Sequence, residues 1–322
     1  MAIKPGIIPL RPLSLSDIFN AAVGYIRANP KTTLGLTTVV VLITQILSLL
    51  LQVGPLAFTG RIGATSGQEL TAPMVVGSVA SAAAGGLATA LAAILLSGML
   101  TVVVGRAVFG SKITIGEAWE RVRGRLLALV GLGALEVLAA VVLTGAVVAA
   151  IAGIAVAANT VTAVMVGIPL VLALIAVLAY LFTALTFAPV AIVLERKPVW
   201  ASISRSFALV RNHFWRVLGI RLLAGVVAAV VAGAVSVPFS IAGQLLVFDA
   251  GTAGPFILAT AITSVGSAIG QIVTAPFTAG VVVLLYTDIR IRAEAFDLVL
   301  QTGAAGAPAG ASTDNLWLTP PR

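Results

Sequence analysis

The chain has 322 residues, of which 60% are hydrophobic and only 9% are charged, and its formal net charge is +8. Because a soluble domain carries roughly a quarter charged residues, this composition excludes a water-exposed surface over much of the chain. The absence of cysteine excludes disulfides. We therefore predict an integral membrane protein for which lipid is a large part of the solvent.

Six apolar stretches follow one another along the chain. A helix needs roughly 20 residues to cross the hydrocarbon core, whereas barrel strands would read as short alternating segments. The stretch Leu126–Leu194 contains one charged residue, Glu136, and must hold two spans that turn near Asn159. We predict an all-α fold with six transmembrane helices near residues 32–54, 74–105, 127–152, 163–190, 221–246 and 257–286.

The positive charge is distributed very unevenly. Eighteen of the 19 Lys and Arg residues precede span one, follow span six, or lie between spans two and three or spans four and five. Only Arg61 lies on the other side. Since positive residues concentrate on the cytoplasmic side, we predict a multi-pass protein of the plasma (inner) membrane with both termini cytoplasmic. No nucleic-acid partner is expected, because that would require the cations on one soluble face.

Three basic segments share a pattern that predicts an internal repeat. Each contains an Arg followed eight residues later by a Gly: Arg27 and Gly35, Arg123 and Gly131, Arg211 and Gly219. Apolar residues before each Arg recur at i, i+4 and i+7, which is typical of one face of an amphipathic helix. We predict one transmembrane domain over residues 1–300, with three repeats at about 14–106, 113–196 and 199–292. Each repeat is an interfacial helix plus two spans.

The interfacial helices are predicted to lie at the lipid headgroup level. Their apolar faces enter the membrane boundary and their cations approach phosphates. The candidate headgroup contacts are Arg27, Arg121, Arg123, Arg125, Arg205, Arg211 and Arg216. Expected partners are membrane lipids, chiefly anionic ones, and either a membrane protein or a second copy of the chain. The Ala-, Gly- and Pro-rich residues 301–322 predict a disordered cytoplasmic tail.

Glu136 is the candidate functional residue inside the membrane. It lies about 15 Å along the axis of span three, where an ionisable side chain should face protein or a water-filled cavity. Arg221, at the start of span five, is a candidate partner. A purely structural role, with Glu136 neutral or paired, stays open. A second charged motif, formed by Asp288, Arg290, Arg292 and Glu294, is interpreted as a structural anchor at the end of span six.

Several segments resemble a known family. They are Pro9–Leu13, Ala188–Lys197 continuing to Ser204–Gly219, and Leu285–Leu298. They look like the bacterial glycerophosphoryl diester phosphodiesterase membrane domain, which is fused to some of those enzymes and stands alone in actinobacterial membrane proteins of unknown function. The resemblance covers nearly the whole chain. A phosphodiesterase domain would need roughly 200 further residues with His and carboxylate groups, so we do not transfer that activity.

The sequence offers little material for an enzyme. His213 is the only histidine, and its basic, aromatic surroundings are ordinary at headgroup level. We therefore expect no catalytic residues, no metal and no cofactor. The leading hypothesis is a non-enzymatic protein with a structural, regulatory or envelope-lipid role, which contacts anionic lipid or partner proteins through its basic helices. The alternative is a transporter or lipid-translocating protein with an intramembrane site at Glu136.

Overall fold

A computed structural model describes residues 7–9, 11–58, 72–111, 113–248, 253–294, 296, 298 and 313–318. Within these ranges every regular element is a helix, and no strand is present. Four cations that contribute to the orientation prediction lie outside the described residues: Lys4, Arg61, Lys112 and Arg322.

The helices form three groups, and each group begins with one short helix followed by two long ones. The first group is α1 (Leu15–Ala28), α2 (Pro30–Phe58) and α3 (Ala72–Val108). The second is α4 (Ile115–Arg123), α5 (Leu126–Ala157), α6 (Thr160–Ala184) and the short α7 (Ala188–Leu194). The third is α8 (Val199–Arg211), α9 (Phe214–Phe248) and α10 (Ala253–Glu294). Six helical stretches in the described chain are long and apolar enough to cross a membrane, as predicted.

The short helices begin and end where their local sequence indicates. Ser14 and Asp17 form a complete capping box at the start of α1, with each side chain accepting from the other residue's backbone N–H. At the start of α4, the Thr114 hydroxyl accepts from the backbone of Glu117. The chain leaves α1 at Asn29, directly before the proline that opens α2. These caps set the elbows between short and long helices.

Helix α10 is the centre of the packing. It contacts α9 along much of its length and also packs against α1, α2 and α3. One close approach is made at Gly280, where an added Cβ would lie 2.5 Å from the Tyr25 ring of α1. The Tyr25 hydroxyl donates a hydrogen bond to the backbone carbonyl of Pro276, and burial raises the pKa of this phenol above its usual value. Helix α1 is therefore fixed to α10 by a ring lying over a glycine.

The hairpin of α5 and α6 is much less enclosed. These two helices pack mainly on each other. No residue in the most apolar stretch of α5 is buried inside the bundle. Large apolar side chains such as Val156, Met165 and Leu172 are more than half exposed. An exposed apolar surface of this extent is typical of a membrane or protein interaction surface.

The structure differs from the sequence-based boundaries in three places. Helix α9 begins at Phe214 rather than near residue 221, because the elbow at Asn212 turns directly into it. The predicted fourth span is interrupted between α6 and α7. Within the tail predicted to be disordered, Thr313–Leu318 form a 3-10 helix. This segment is held because the Trp317 side chain packs against other aromatic rings and is only 3% exposed. The other tail residues lie outside the described ranges.

Candidate functional site

A cavity of about 360 Å³ lies among the long helices, and Glu136 and Arg221 both line it. They are the two ionisable side chains of its wall. The remaining polar lining consists of hydroxyl and amide side chains: Thr44, Thr89, Ser97, Thr101, Thr186, Gln271 and Thr278. The rest of the wall is apolar, so the cavity is mainly apolar with a few convergent polar groups, as small-molecule sites are.

The threonine hydroxyls of this cavity donate within their own helices. Thr44 donates to the carbonyl of Val40 at 2.7 Å, and Thr101 donates to that of Ser97 at 2.7 Å. This i−4 bonding uses the hydroxyl proton and leaves the oxygen lone pairs as acceptors. The cavity therefore presents acceptors along α2 and α3, and Arg221 is its strong donor.

Arg221 lies against the break between α6 and α7. Its Nη1 donates to the backbone carbonyl of Phe182 at 2.7 Å and also bonds the Thr186 hydroxyl. At the helix break the Thr186 N–H bonds the Thr183 carbonyl instead. The Phe182 carbonyl accepts from Arg221 and, at 3.1 Å, from the Thr186 hydroxyl. The guanidinium also stacks over the Phe182 ring, 3.8 Å from its centroid. Pro189, just beyond the break, has no N–H with which to continue the α6 ladder.

Glu136 faces the cavity without a direct partner. No hydrogen bond or salt bridge of its carboxylate occurs within the described part of the chain, and the two charges share the cavity rather than forming an ion pair. Val40, which occupies the equivalent position thirteen residues after Arg27, lines the same cavity. These two positions, which correspond in the predicted repeat, thus both face the cavity, one with an apolar side chain and one with a carboxylate.

A second, apolar groove meets the cavity at Glu136. The groove has a volume of about 500 Å³ and runs between α5 and α6. Glu136, Phe182 and Leu185 line both spaces. Phe182 is 65% exposed, so its ring lies between the outer surface of the hairpin and the inner cavity. The mainly apolar cavity, with its few polar groups, is therefore adjacent to the apolar groove between α5 and α6.

A buried ion network lies beyond this cavity, at the end of α10. Glu195 accepts from the Tyr286 hydroxyl and pairs with Lys197 at 3.0 Å, Arg205 at 3.2 Å and Arg290 at 3.6 Å. Burial raises the pKa of Glu195, but the Tyr286 hydrogen bond and the charges of Arg290 and Arg205 lower it more, so the net shift is downward.

Glu294 extends the network. It pairs with Arg290 at 2.9 Å and also with Arg205. Burial lowers the pKa of Arg205, but the two carboxylates, Glu294 first, raise it above its usual range. Arg290 and Glu294 are four residues apart, a spacing at which two side chains on one helix can reach each other. The spacing of this motif in the sequence indicates the same pair.

A second clamp joins the start of the chain to α10. Asp288, which is fully buried, accepts from the backbone N–H of Leu13 at 2.8 Å and from Arg216 and Arg292 at 3.0 and 2.9 Å. Both arginines also donate to the carbonyl of Leu13, at 2.7 and 3.1 Å. Asp288 and Arg292 therefore hold α1, α9 and α10 together in the way expected of a structural anchor.

The seven arginines predicted to contact lipid head groups occupy three kinds of environment. Arg205 and Arg216 belong to the internal ion pairs described above. Arg121 donates to the backbone of Glu117, and Arg125 donates to that of Arg196. The equivalent repeat residues Arg27, Arg123 and Arg211 are exposed at the ends of α1, α4 and α8. Their side chains make no hydrogen bond or ion pair within the described residues.

Sequence reasoning did not identify Phe182 or Glu195 as site residues. Phe182 is one of many apolar residues in its helix, and no sequence signal marks it. Glu195 follows a long uncharged run and lies directly after α7. This position was the signal in the sequence that could have marked it as a site residue. His213 has a buried Nδ1 with no hydrogen-bond partner in the described structure. Among the same residues, no group of three or more His, Asp or Glu side chains could hold a metal ion.

These features are those of an all-helical protein with six long apolar helices and an inner cavity lined by both polar and apolar side chains. Over residues 13–289 the chain matches, and therefore belongs to, the family described as a domain of unknown function (DUF7847). That description does not name the phosphodiesterase membrane domain which several segments resemble. No curated protein matches the chain, and no solved structure matches it.

Proposed function

We propose that this chain is a non-enzymatic, multi-pass protein of the plasma membrane that binds a membrane amphiphile at Glu136 and Arg221 and moves it across the bilayer. The observation that carries the proposal is the single cavity that both ionisable side chains line. Ionisable groups at membrane depth mark substrate pathways by default. The helix break beside Arg221 is of the kind that forms transporter sites.

The lateral groove supports an amphiphile as the substrate. A polar head group would enter the cavity of about 360 Å³, where Arg221 donates and the threonine oxygens accept. An acyl chain would lie in the apolar groove between α5 and α6, which shares Glu136 and Phe182 with the cavity. The scarcity of titratable groups argues against chemistry at this site.

Lipid translocation tests this proposal directly. Purified protein would be reconstituted into vesicles of phosphatidylcholine containing a fluorescent phosphatidylglycerol analogue, and external dithionite would quench the outer leaflet. We expect wild-type protein to expose the inner-leaflet probe, and Glu136→Gln to reduce the rate at least tenfold. The matched control is Glu117→Gln, the same change at a side chain that is 48% exposed, and it should behave as wild type. Rates equal to those of protein-free vesicles would refute the proposal.

The proposed topology has three repeats and cytoplasmic termini. The order of short and long helices supports the repeat, and the apolar outer surface of α5 supports membrane insertion. Because the chain contains no cysteine, single-cysteine labelling needs no background variant. Thr160→Cys, at the first residue of α6, should react with an impermeant maleimide added to whole cells. Trp200→Cys, 74% exposed at the start of α8, should react only after lysis. The opposite pattern would reverse the orientation.

A second candidate function is attachment to anionic lipid through the short helices. It is favoured by the exposure of Arg27, Arg123 and Arg211 at equivalent repeat positions. Such a protein would have a structural, regulatory or envelope-lipid role. Replacing these three residues with Gln should weaken binding to phosphatidylglycerol vesicles. Unchanged binding would exclude this role and leave the cavity proposal intact.

A further inference from the structure

A separate basic cavity lies at the C-terminal end of α3. Its volume is about 320 Å³. Four arginine side chains line it: Arg106, Arg121, Arg125 and Arg196. The wall is completed by Glu120, by apolar residues of α3 and α7, and by Trp317 of the 3-10 helix. This Arg cavity shares no lining residue with the cavity at Glu136.

The described wall of the Arg cavity carries four guanidinium groups and one carboxylate, Glu120. A second carboxylate, Glu117, lies 3.8 Å from Arg106 and is 48% exposed. Arg196 and Glu120 are exposed, and Arg121 and Arg125 are partly buried. The Arg cavity is therefore open to its surroundings, and most of its charged side chains are basic.

The helix dipole explains why Arg106 lies where it does, but it does not explain why four arginines meet at one cavity. Arg106 lies in the last turn of α3, where a cation is stabilised by the helix dipole. Arg121, Arg125 and Arg196 come from a different helix and two connecting segments, yet they meet at the same cavity. Convergence of four forked donors from separate parts of the chain is typical of recognition of a phosphate group.

Arg196 shows the most unusual local structure. Its φ is 55°, and it is the one non-glycine residue of the described chain with a positive φ. This conformation costs free energy for any residue with a Cβ, and such strain is concentrated at functional positions. Its side chain makes no hydrogen bond or ion pair within the described structure, while its backbone carbonyl accepts from Arg125 at 3.2 Å. A glycine would adopt this φ at a lower cost. The Arg196 side chain itself is exposed and lines the Arg cavity.

We propose that the Arg cavity binds a phosphate-bearing anion, which the four guanidinium groups would hold by charge-assisted hydrogen bonds. The volume lies at the small end for ligand sites, so it accommodates a phosphorylated head group or a small phosphate ester rather than a whole lipid. Both sources offer the same chemistry. Basic pockets between helices at the cytoplasmic side are a known way to hold anionic lipid head groups. The site stands independently of the proposed translocation at Glu136.

The test uses the purified full-length protein and two phosphate probes. One probe is nanodiscs of phosphatidylcholine with or without phosphatidylglycerol, and the other is soluble glycerol phosphate. Binding would be followed through tryptophan fluorescence, because Trp317 forms part of the cavity wall. The pocket variant is Arg121→Gln with Arg196→Gln. The matched control is Arg11→Gln with Lys31→Gln, which removes the same charge from exposed positions that belong to neither proposed lipid contact.

We expect saturable binding that the pocket variant weakens roughly tenfold or more, whereas the control remains within about twofold of wild type. Response to glycerol phosphate would identify a soluble ester as the ligand, and response only to phosphatidylglycerol would identify a head group. Equal losses in both variants, or no saturable binding of either probe, would overturn the proposal.

Arg196→Gly separates binding from folding. Glycine suits the φ of 55°, so this variant should melt at the same temperature as wild type or higher, yet bind the phosphate probe more weakly. Arg196→Lys keeps the charge and should bind better than Arg196→Gly. A glycine variant that binds like wild type would remove Arg196 from the site and contradict the proposed four-arginine recognition.

Discussion

The buried network around Glu195 is expected to contribute strongly to stability. Glu195 is 8% exposed and accepts from Tyr286, Lys197, Arg205 and Arg290. In Glu195→Gln, one amide oxygen remains as an acceptor, but the charge that compensates the arginines is lost. Arg290 is 2% exposed, so its guanidinium cannot turn to water. Removing one partner of a buried ion pair costs about 3–5 kcal/mol.

The lower part of that range is expected here. Glu294 still pairs with Arg290 and Arg205 in the variant, and the Lys197 side chain is 37% exposed and contributes little. We therefore expect a loss of about 3 kcal/mol. The matched control Glu117→Gln breaks a long pair, 3.8 Å, whose carboxylate is 48% exposed, and it should cost less than about 1 kcal/mol. Unfolding in detergent micelles, by heat and by denaturant, would measure both changes.

The pH dependence provides a second check on the same residue. Because the pKa of Glu195 is lowered in the folded protein, its contribution is fully present above the carboxyl pKa of the unfolded chain, about 4.3. It is lost as the pH falls through the folded-state pKa. The difference between wild type and Glu195→Gln should therefore be largest near pH 7 and shrink below about pH 4. A difference that is absent at pH 7, or that does not shrink in acid, would refute this reasoning.

Three further changes should be measured by the same unfolding assays. Asp288→Asn leaves two arginines and the Leu13 segment without their shared carboxylate, and should cost about 3 kcal/mol; a loss below 1 kcal/mol would contradict the clamp. Gly280→Ala places a Cβ 2.5 Å from the Tyr25 ring and should cost about 1–3 kcal/mol, whereas Gly225→Ala, with no neighbour within 4 Å, should be neutral or stabilising. Trp317→Ala should cost about 3 kcal/mol, and an unchanged melting temperature would mean that the 3-10 helix adds no stability.

The apolar spans could be predicted because the information is local. A run such as Leu126–Leu194 is readable from its length and its lack of charge. The end of α1 was also readable, since Asn29 and Pro30 act through nearest-neighbour sterics. The extent of the interruption between α6 and α7 was not readable in this way. Proline is common in membrane helices, so Pro189 alone does not distinguish a kink from a break.

The roles of the basic residues depend on contacts that are distant in sequence. Arg205 and Arg216 look like Arg27 and Arg211 in sequence, because all four lie on basic segments next to aromatic or apolar residues. The structure separates them because α10 brings its carboxylates to α8 and α9. Arg216 and Asp288 are 72 residues apart. Pattern reasoning assigns a residue to a helix face but does not reveal which acid another helix brings to that face.

The departure of Glu136 from the repeat pattern follows from how the cavity is built. Val40 and Glu136 hold equivalent positions and line the same space, whereas the third equivalent, Ala224, is buried in packing and is 3% exposed. Two of these three corresponding positions thus line the cavity, and one of them carries a charge. The opposing cation, Arg221, donates to the Phe182 carbonyl and bonds the Thr186 hydroxyl at the α6–α7 break. Since these two contacts hold the guanidinium at the break, Arg221 lines the cavity with Glu136 without forming a salt bridge to it.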